Sequence, residues 1–303
     1  MRYEISQIND LSNEIRDFIR VGDDNYFNQV YEITQAIYES RVEKPIILLA
    51  GPSGSGKTTT ALNIEKILDE RSCGTHTLSL DNYFKPLNNE EKALLAAGKL
   101  DLESPERIDT EFLNQQLQDI IECKPIELYK YDFKKAQRKA TGKVLNRQCG
   151  DLVILEGTHS LNPDLLSIDD NATIKLYASI ASSIKNNDYE LTRADIRLLR
   201  RMLRDRNFRG RSEAETLMMS DNVEAGEIKY IKPYMHRADY EIDTFILYEV
   251  NVYCCLIDQL KKLNSIRVDN ILKIMQQLKK IDEKYVPASA LIREFIGNGN
   301  FEY

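Results

Sequence analysis

The sequence predicts an α/β fold: a mainly parallel five-stranded sheet flanked by helices, with helical extensions at both ends. Three observations predict it. Short continuous apolar runs, such as residues 46–50 and 152–155, recur along the chain, and runs of that kind suit strands buried on both faces. These runs alternate with segments of helical periodicity, which implies a parallel sheet covered by helices. The first run leads straight into a glycine-rich loop and then a helical pattern, the order in which α/β domains build an anion-binding turn.

Residues 1–43 read as helical, with Ile5, Ile8, Leu11, Ile15 and Ile19, then Val30, Ile33, Ile37 and Tyr38, at helical spacing. Pro45 ends that pattern, and residues 46–50 follow as a buried strand. Residues 59–70 form a helix with Ala61, Leu62, Ile64, Ile67 and Leu68 inward. Residues 75–80 are a second strand, and 111–123 a helix. Residues 126–131 and 143–145 flank a basic, polar stretch and suit a hairpin-like excursion. Strands follow at 152–155 and 173–177, a basic helix at 193–206 and a last strand at 240–247. Residues 250–278 are helical again. The chain therefore divides into an N-terminal helical extension (1–43), a central α/β domain (44–250) and a C-terminal helical extension (251–303). There is no internal repeat.

Of the 303 residues, 42% are hydrophobic and 29% charged, a balance that fits a packed core and excludes a disordered chain. The net charge of −7 gives no general attraction to nucleic acid or anionic membrane. Tyrosines are spread along the chain rather than gathered into a base-stacking platform. The cysteines Cys73, Cys123, Cys149, Cys254 and Cys255 are odd in number and form no CxxC pair, so reduced thiols are expected. Cys254 and Cys255, on an apolar stretch, are expected in the core. The polar first twenty residues lack the apolar centre of a secretion signal, and no stretch is long enough to span a membrane. A cytoplasmic protein is expected.

Gly51-Pro52-Ser53-Gly54-Ser55-Gly56-Lys57-Thr58 matches GxxxxGK[ST] in full. Glycines let the backbone close around phosphate, successive N–H groups point at the anion, and the following helix adds its positive end. Lys57 is placed to reach the β- and γ-phosphates, and the Thr58 hydroxyl to ligate Mg²⁺. A P-loop NTPase fold with ATP and Mg²⁺ as cofactors is thus expected, Gly51 to Thr59 holding the nucleotide. The chain has neither an NKxD guanine-reading motif nor an LSGGQ signature, which disfavours a GTPase or an ABC-type ATPase. Glu156 ends the run 152–155, where ligands bind in open α/β sheets, and is the candidate metal-side carboxylate. Asp81 ends the second strand and could accept the proton of an attacking hydroxyl. Residues 200–211 hold six arginines, suited to clamping phosphate oxygens, with Gly210 as a hinge of a mobile lid. His159, three residues after Glu156, is given no role.

These motifs, in order, resemble the uridine kinase and phosphoribulokinase family of P-loop kinases over residues 45–248. They are GPSGSGKTT, LDNYF, LESPERID, YDF with Arg138 downstream, VILEG and RRMLRDRNFRGRS, then GEIKYIKPY and Ala238-Asp239. The chain is similar to a bacterial uridine kinase-like branch that often carries an N-terminal TGS module, for which residues 1–43 are too short. The tail Ala290-Leu291-Ile292-Arg293-Glu294-Phe295-Ile296-Gly297 resembles a motif of that branch with no assigned chemistry.

The resemblance implies transfer of the γ-phosphate of ATP to a hydroxyl of a nucleoside or related small metabolite. It makes Asp81 the base, with Lys57 and Arg204 in catalysis. Arg204, Arg209 and Arg211 become lid residues on ATP. Tyr83, Glu103, Tyr131, Arg138 and Arg201 fall with Asp81 on the acceptor side, Glu103 standing where the family has a ribose-binding aspartate. Relatives of this kind form dimers or tetramers, so a homo-oligomer is expected. Ala136 and Met219 stand at the positions where pyrimidine kinases carry a base-reading His and Gln, so the resemblance keeps the transfer machinery and drops the base reader. The alternatives are a nucleotide-binding regulator with a degenerate acceptor site and a phosphoribulokinase-like sugar-phosphate kinase.

Overall fold

A computed structural model of the 303-residue chain describes residues 1–96, 100–132, 135–148 and 150–302, of residues 95 and 96 the backbone alone. Phe133 of the YDF motif and Cys149 lie outside the described residues.

The chain opens with β1 (Arg2–Glu4), α1 (Ile5–Leu11) and the long α2 (Ile15–Ser40). Then come β2 (Ile46–Ala50), α3 (Lys57–Asp69) and β3 (Thr75–Ser79), the last closed by a 3-10 turn at Leu80–Tyr83. α4 (Asn89–Ala96) and α5 (Thr110–Ile121) lead to the hairpin β4 (Ile126–Asp132) and β5 (Gln137–Leu145). β6 (Leu152–Glu156), β7 (Thr173–Ser179), β8 (Ser183–Lys185) and β9 (Glu190–Leu191) precede α6 (Arg193–Arg204), which runs on as a π-helical turn, Asp205–Arg209. α7 (Glu213–Met218), α8 (Ser220–Gly226) and β10 (Tyr240–Asp243) complete the central part. The last stretch carries α9 (Glu249–Tyr253), α10 (Ile257–Leu260), α11 (Ile266–Met275) and α12 (Arg293–Ile296).

The five central strands pair in the order β10-β7-β2-β6-β3, all parallel, as expected from the apolar runs. β2 and β6 are buried at every position. Because strand side chains alternate, one strand feeds two cores. Ile47, Leu49, Leu152, Ile154, Ile174 and Leu176 face a layer formed by the helices at both ends of the chain with α3 and α6. Ile46, Leu48, Val153 and Leu155 face α5 and the hairpin through Leu113, Leu117, Ile120, Ile126 and Leu145. The terminal segments share the sheet's core: Phe18, Tyr26, Val268, Leu291 and Phe295 are members of the same cluster as Ile154.

Four readings of the sequence are corrected. Residues 2–4 are a strand, not helix, because they pair in parallel with Ser183–Lys185. The last strand stops at Asp243, whose carboxylate then accepts the N–H groups of Ala181 and Phe245 and so turns the chain. The stretch 250–278 is broken into α9, a 3-10 turn, α10 and α11 rather than one helix. Cys254 is buried, but the next residue on the turn, Cys255, points outward. Cys73, Cys254 and Cys255 are free thiols. Among the described residues no helix is long and apolar enough to cross a membrane.

Candidate active site

Every strand of a parallel sheet ends on the same side, so the loops after β2, β3 and β6 gather at one edge. The loop after β2 wraps back on itself through Ser55 N–H to the Pro52 carbonyl, 3.0 Å. Gly51 must be glycine, since a Cβ there would lie 2.2 Å from the carbonyl oxygen of Ala178. Gly56 sits at φ +82°, a conformation that other residues adopt at a cost, and starts α3. The amides of Gly56, Lys57 and Thr58 donate to no group among the described residues. They are therefore available to an anion at the positive end of a thirteen-residue helix.

Two buried arginines brace this loop from behind. Arg200, fully buried, donates through Nη1 to the Gly54 carbonyl (3.2 Å) and through Nη2 to that of Thr244 (2.6 Å). Its Nε and Nη2 meet both carboxylate oxygens of Glu249 at 2.7 and 3.0 Å. Arg197 donates to the Ser53 carbonyl at 3.4 Å and pairs with Glu227. The basic segment thus divides by depth: Arg200 holds the loop, Met202 and Leu203 enter the core, Arg201 lies against Gly54, and Arg204, Arg209 and Arg211 gather around Asp205. Arg201 is 5% exposed, yet its guanidinium makes no hydrogen bond or ion pair among the described residues. Burial first, then the neighbouring Arg204, lowers its pKa to about 10. Such a group is stabilised by any incoming anion. Arg204, Arg209 and Arg211 converge on Asp205, 1% exposed, at 3.2, 3.7 and 3.9 Å.

Carboxylates occupy the other side of the cleft. Glu156 is 4% exposed at the end of β6, and its Oε2 has no partner among the described residues. Burial pushes its pKa up to about 6, against the pull of Lys57 and with a further push from Asp81. Glu103 is also raised, by burial first, with Arg201 and Lys57 opposing and Asp81 adding. Asp81, Glu103, Glu156 and Lys57 are therefore within electrostatic reach of one another although they come from a 3-10 turn, a loop, a strand end and a helix. The orphaned Glu156 oxygen and the half-buried Thr58 are oxygen donors of the kind a Mg²⁺–nucleotide would need. Among the described residues no three His, Cys, Asp or Glu side chains are placed to hold a metal by themselves. Phosphate oxygens would have to complete that shell.

Other residues singled out in the sequence make packing contacts, Tyr131 beside the Asp81 turn, where its N–H donates to Asn82 Oδ1 at 3.1 Å. The Tyr83 hydroxyl donates to Gln116 Oε1 at 2.8 Å inside the α5 layer. Arg138 Nη2 pairs with Asp109 at 2.9 Å, and its guanidinium lies 4.1 Å from the Phe112 ring. Both contacts anchor on α5 or its N-cap residue. The Tyr131 ring packs on Phe84 at 5.7 Å, and its hydroxyl donates to the Lys85 carbonyl. Ala136 is at the hairpin turn with φ +49°, and Met219 caps the end of α7.

The sequence did not mark two residues of the site. His159 is 3% exposed with Nδ1 unpartnered among the described residues, and it feels Asp81 and Lys57. Burial lowers its pKa, which keeps the ring neutral. Its place three residues past Glu156 was the available signal. Glu294, from the far end of the chain, accepts from Thr59 N (3.2 Å) and Thr59 Oγ1 (2.6 Å) on α3. Nothing local in the sequence announces a contact across that separation.

Residues 46–250 match the Phosphoribulokinase / Uridine kinase family. The chain is 34% identical over 174 residues to the uridine kinase of Lactobacillus helveticus, covering 57% of this chain and 73% of that one. It is 30% identical over 205 residues to the uridine kinase of Clostridium botulinum, covering 65% and 87%. A crystal structure from Silicibacter sp. TM1040, named for a fructose transport system kinase, shares the fold at a TM-score of 0.51 and 16% identity, over 70% of this chain and 98% of that one.

Proposed function

Because this chain belongs to the Phosphoribulokinase / Uridine kinase family, we propose that it is an ATP-dependent kinase transferring the γ-phosphate to a hydroxyl of a nucleoside or related small metabolite. The observation that carries the reading is the meeting of Asp81, Glu103, Glu156, Lys57 and Arg201 around the free amides at the start of α3. Lys57 and the amides of Gly56 to Thr58 hold the phosphates. Asp81 takes or orients the acceptor proton, and Glu103 accepts hydrogen bonds from neighbouring hydroxyls. Arg201, with Arg204, Arg209 and Arg211, offsets charge on the group in flight. Thr58 and Glu156 would hold Mg²⁺, which would supply neutralising charge beside the phosphates when bound.

A nucleotide-binding regulator is not favoured, since its relatives' names and the full set of acidic and basic groups both speak for transfer. With Ala136 and Met219 at the base-reading positions, the acceptor is recognised by its sugar-like hydroxyls more than by a pyrimidine. ADP release measured against nucleosides and other hydroxyl metabolites should depend on the acceptor. An identical slow rate with every acceptor and with none would remove the reading. Asp81→Asn should lower kcat by about 10²–10⁴ while ATP still binds.

A further inference from the structure

We propose that Glu294 is an internal anion seated in the phosphate cage, and that ATP binding displaces it together with the tail Ala290 to Gly297. This rests on the nucleotide reading above and adds a gate to the same site. The first three N–H groups of α3 are those of Lys57, Thr58 and Thr59. Two have no partner among the described residues, and the third, with the Thr59 hydroxyl, is held by Glu294 Oε2 at 3.2 and 2.6 Å. Glu294 is 7% exposed and forms no ion pair with a basic side chain among the described residues. Its carboxylate is held by the helix end, as a phosphate oxygen would be, with the Arg200 guanidinium also within electrostatic reach. A triphosphate laid along the loop needs the same donors, and two anions cannot share them at so buried a position.

The seat is built around the carboxylate. Leu291, fully buried, has a methyl 3.0 Å from the point where a Cβ on Gly56 would stand. The Phe295 ring lies 5.0 Å from the Arg200 guanidinium that braces Gly54. Asn207, in the π-helical turn after α6, donates to the Phe295 carbonyl at 3.0 Å. The tail thus touches the loop, its brace and the arginine segment at once. Release of Glu294 by nucleotide would free the arginine segment to close over the phosphates.

Hydrogen exchange of the intact protein, with and without ATP and Mg²⁺, tests this. Loop peptides covering residues 54–59 should become protected while residues 290–297 exchange about tenfold faster, as expected when a closed segment is opened. Protection of the loop with the tail unchanged or slower would overturn the proposal and leave the kinase reading standing. No change at the loop would overturn both. Glu294→Gln keeps the shape and removes the charge, so calorimetry should find ATP bound about three- to tenfold more tightly. Equal or weaker binding by that variant would also overturn it.

Discussion

The pair Arg200–Glu249 offers the sharpest test of how the phosphate loop is held. Both side chains are fully buried, so each charge depends on the other. Replacing Arg200 by Met removes both contacts to Glu249 and the bonds to the Gly54 and Thr244 carbonyls. Glu249 would keep only the Ile246 N–H at 3.0 Å among its backbone donors. Stranding a buried charge in this way costs about 3–5 kcal/mol, a large share of the roughly 5–15 kcal/mol by which folded domains are stable. Arg200→Met/Glu249→Leu removes the charges together, and swapping a buried pair for apolar groups of similar volume is often neutral. The double variant should therefore be more stable than Arg200→Met by about 2–4 kcal/mol, read as the recovery of the urea midpoint. Both variants should bind ATP more weakly than wild type, because the Gly54 carbonyl has lost its anchor. If the double variant is as unstable as the two single costs summed, the pair is not coupled and the reasoning is wrong.

Asp23, buried beside the Tyr248 hydroxyl at 2.7 Å, has a pKa raised to about 6, chiefly by burial. Folded protein therefore binds this proton more tightly than unfolded protein between about pH 4 and 6, so the group's contribution to stability falls as pH rises through that window. Relative to wild type, Asp23→Asn should gain up to about 3 kcal/mol from pH 4 to pH 7 in chemical denaturation, and a pH-independent difference would refute the assignment. Asp205→Asn leaves Arg204, Arg209 and Arg211 without their common counter-charge and should loosen residues 205–211. Limited trypsinolysis should then cut there at least about tenfold faster, matching 1.4 kcal/mol or more of lost local stability. Gly56→Ala forces a Cβ into a left-handed position and against Leu291, costing about 1–2 kcal/mol in backbone strain alone. A thermal melt should show the loss, and ATP affinity should fall with it.

The sheet was legible because burial on both faces writes itself as an unbroken apolar run, as at 46–50 and 152–155. The phosphate loop was legible because its chemistry tolerates few residue types. Pairings between short polar strands were not. Arg2–Glu4 carries no strand pattern of its own and becomes one only when Ser183–Lys185 supplies a ladder. The arginine-rich segment showed its purpose but not its depth: side by side in sequence, Arg200 goes to a buried brace and Arg201 to the cleft. LDNYF marked Asp81 and Tyr83 together, yet the 3-10 turn at Leu80–Tyr83 sends Tyr83 into the α5 layer. Glu294 could not be paired with Thr59, because helical periodicity reports which residues face inward and not what they meet.

The strand order has a consequence for how the chain comes into being. β2 lies at the centre of the sheet, but its two neighbours, β6 and β7, start at residues 152 and 173. At about 5–20 residues per second, the ribosome leaves Ile46–Ala50 without a partner for roughly 5–20 s. During that time five consecutive greasy residues and both rows of their peptide groups are open to any passing chain. Nascent-chain chaperones should therefore engage this protein early, well before the residues that will shield that strand have been made.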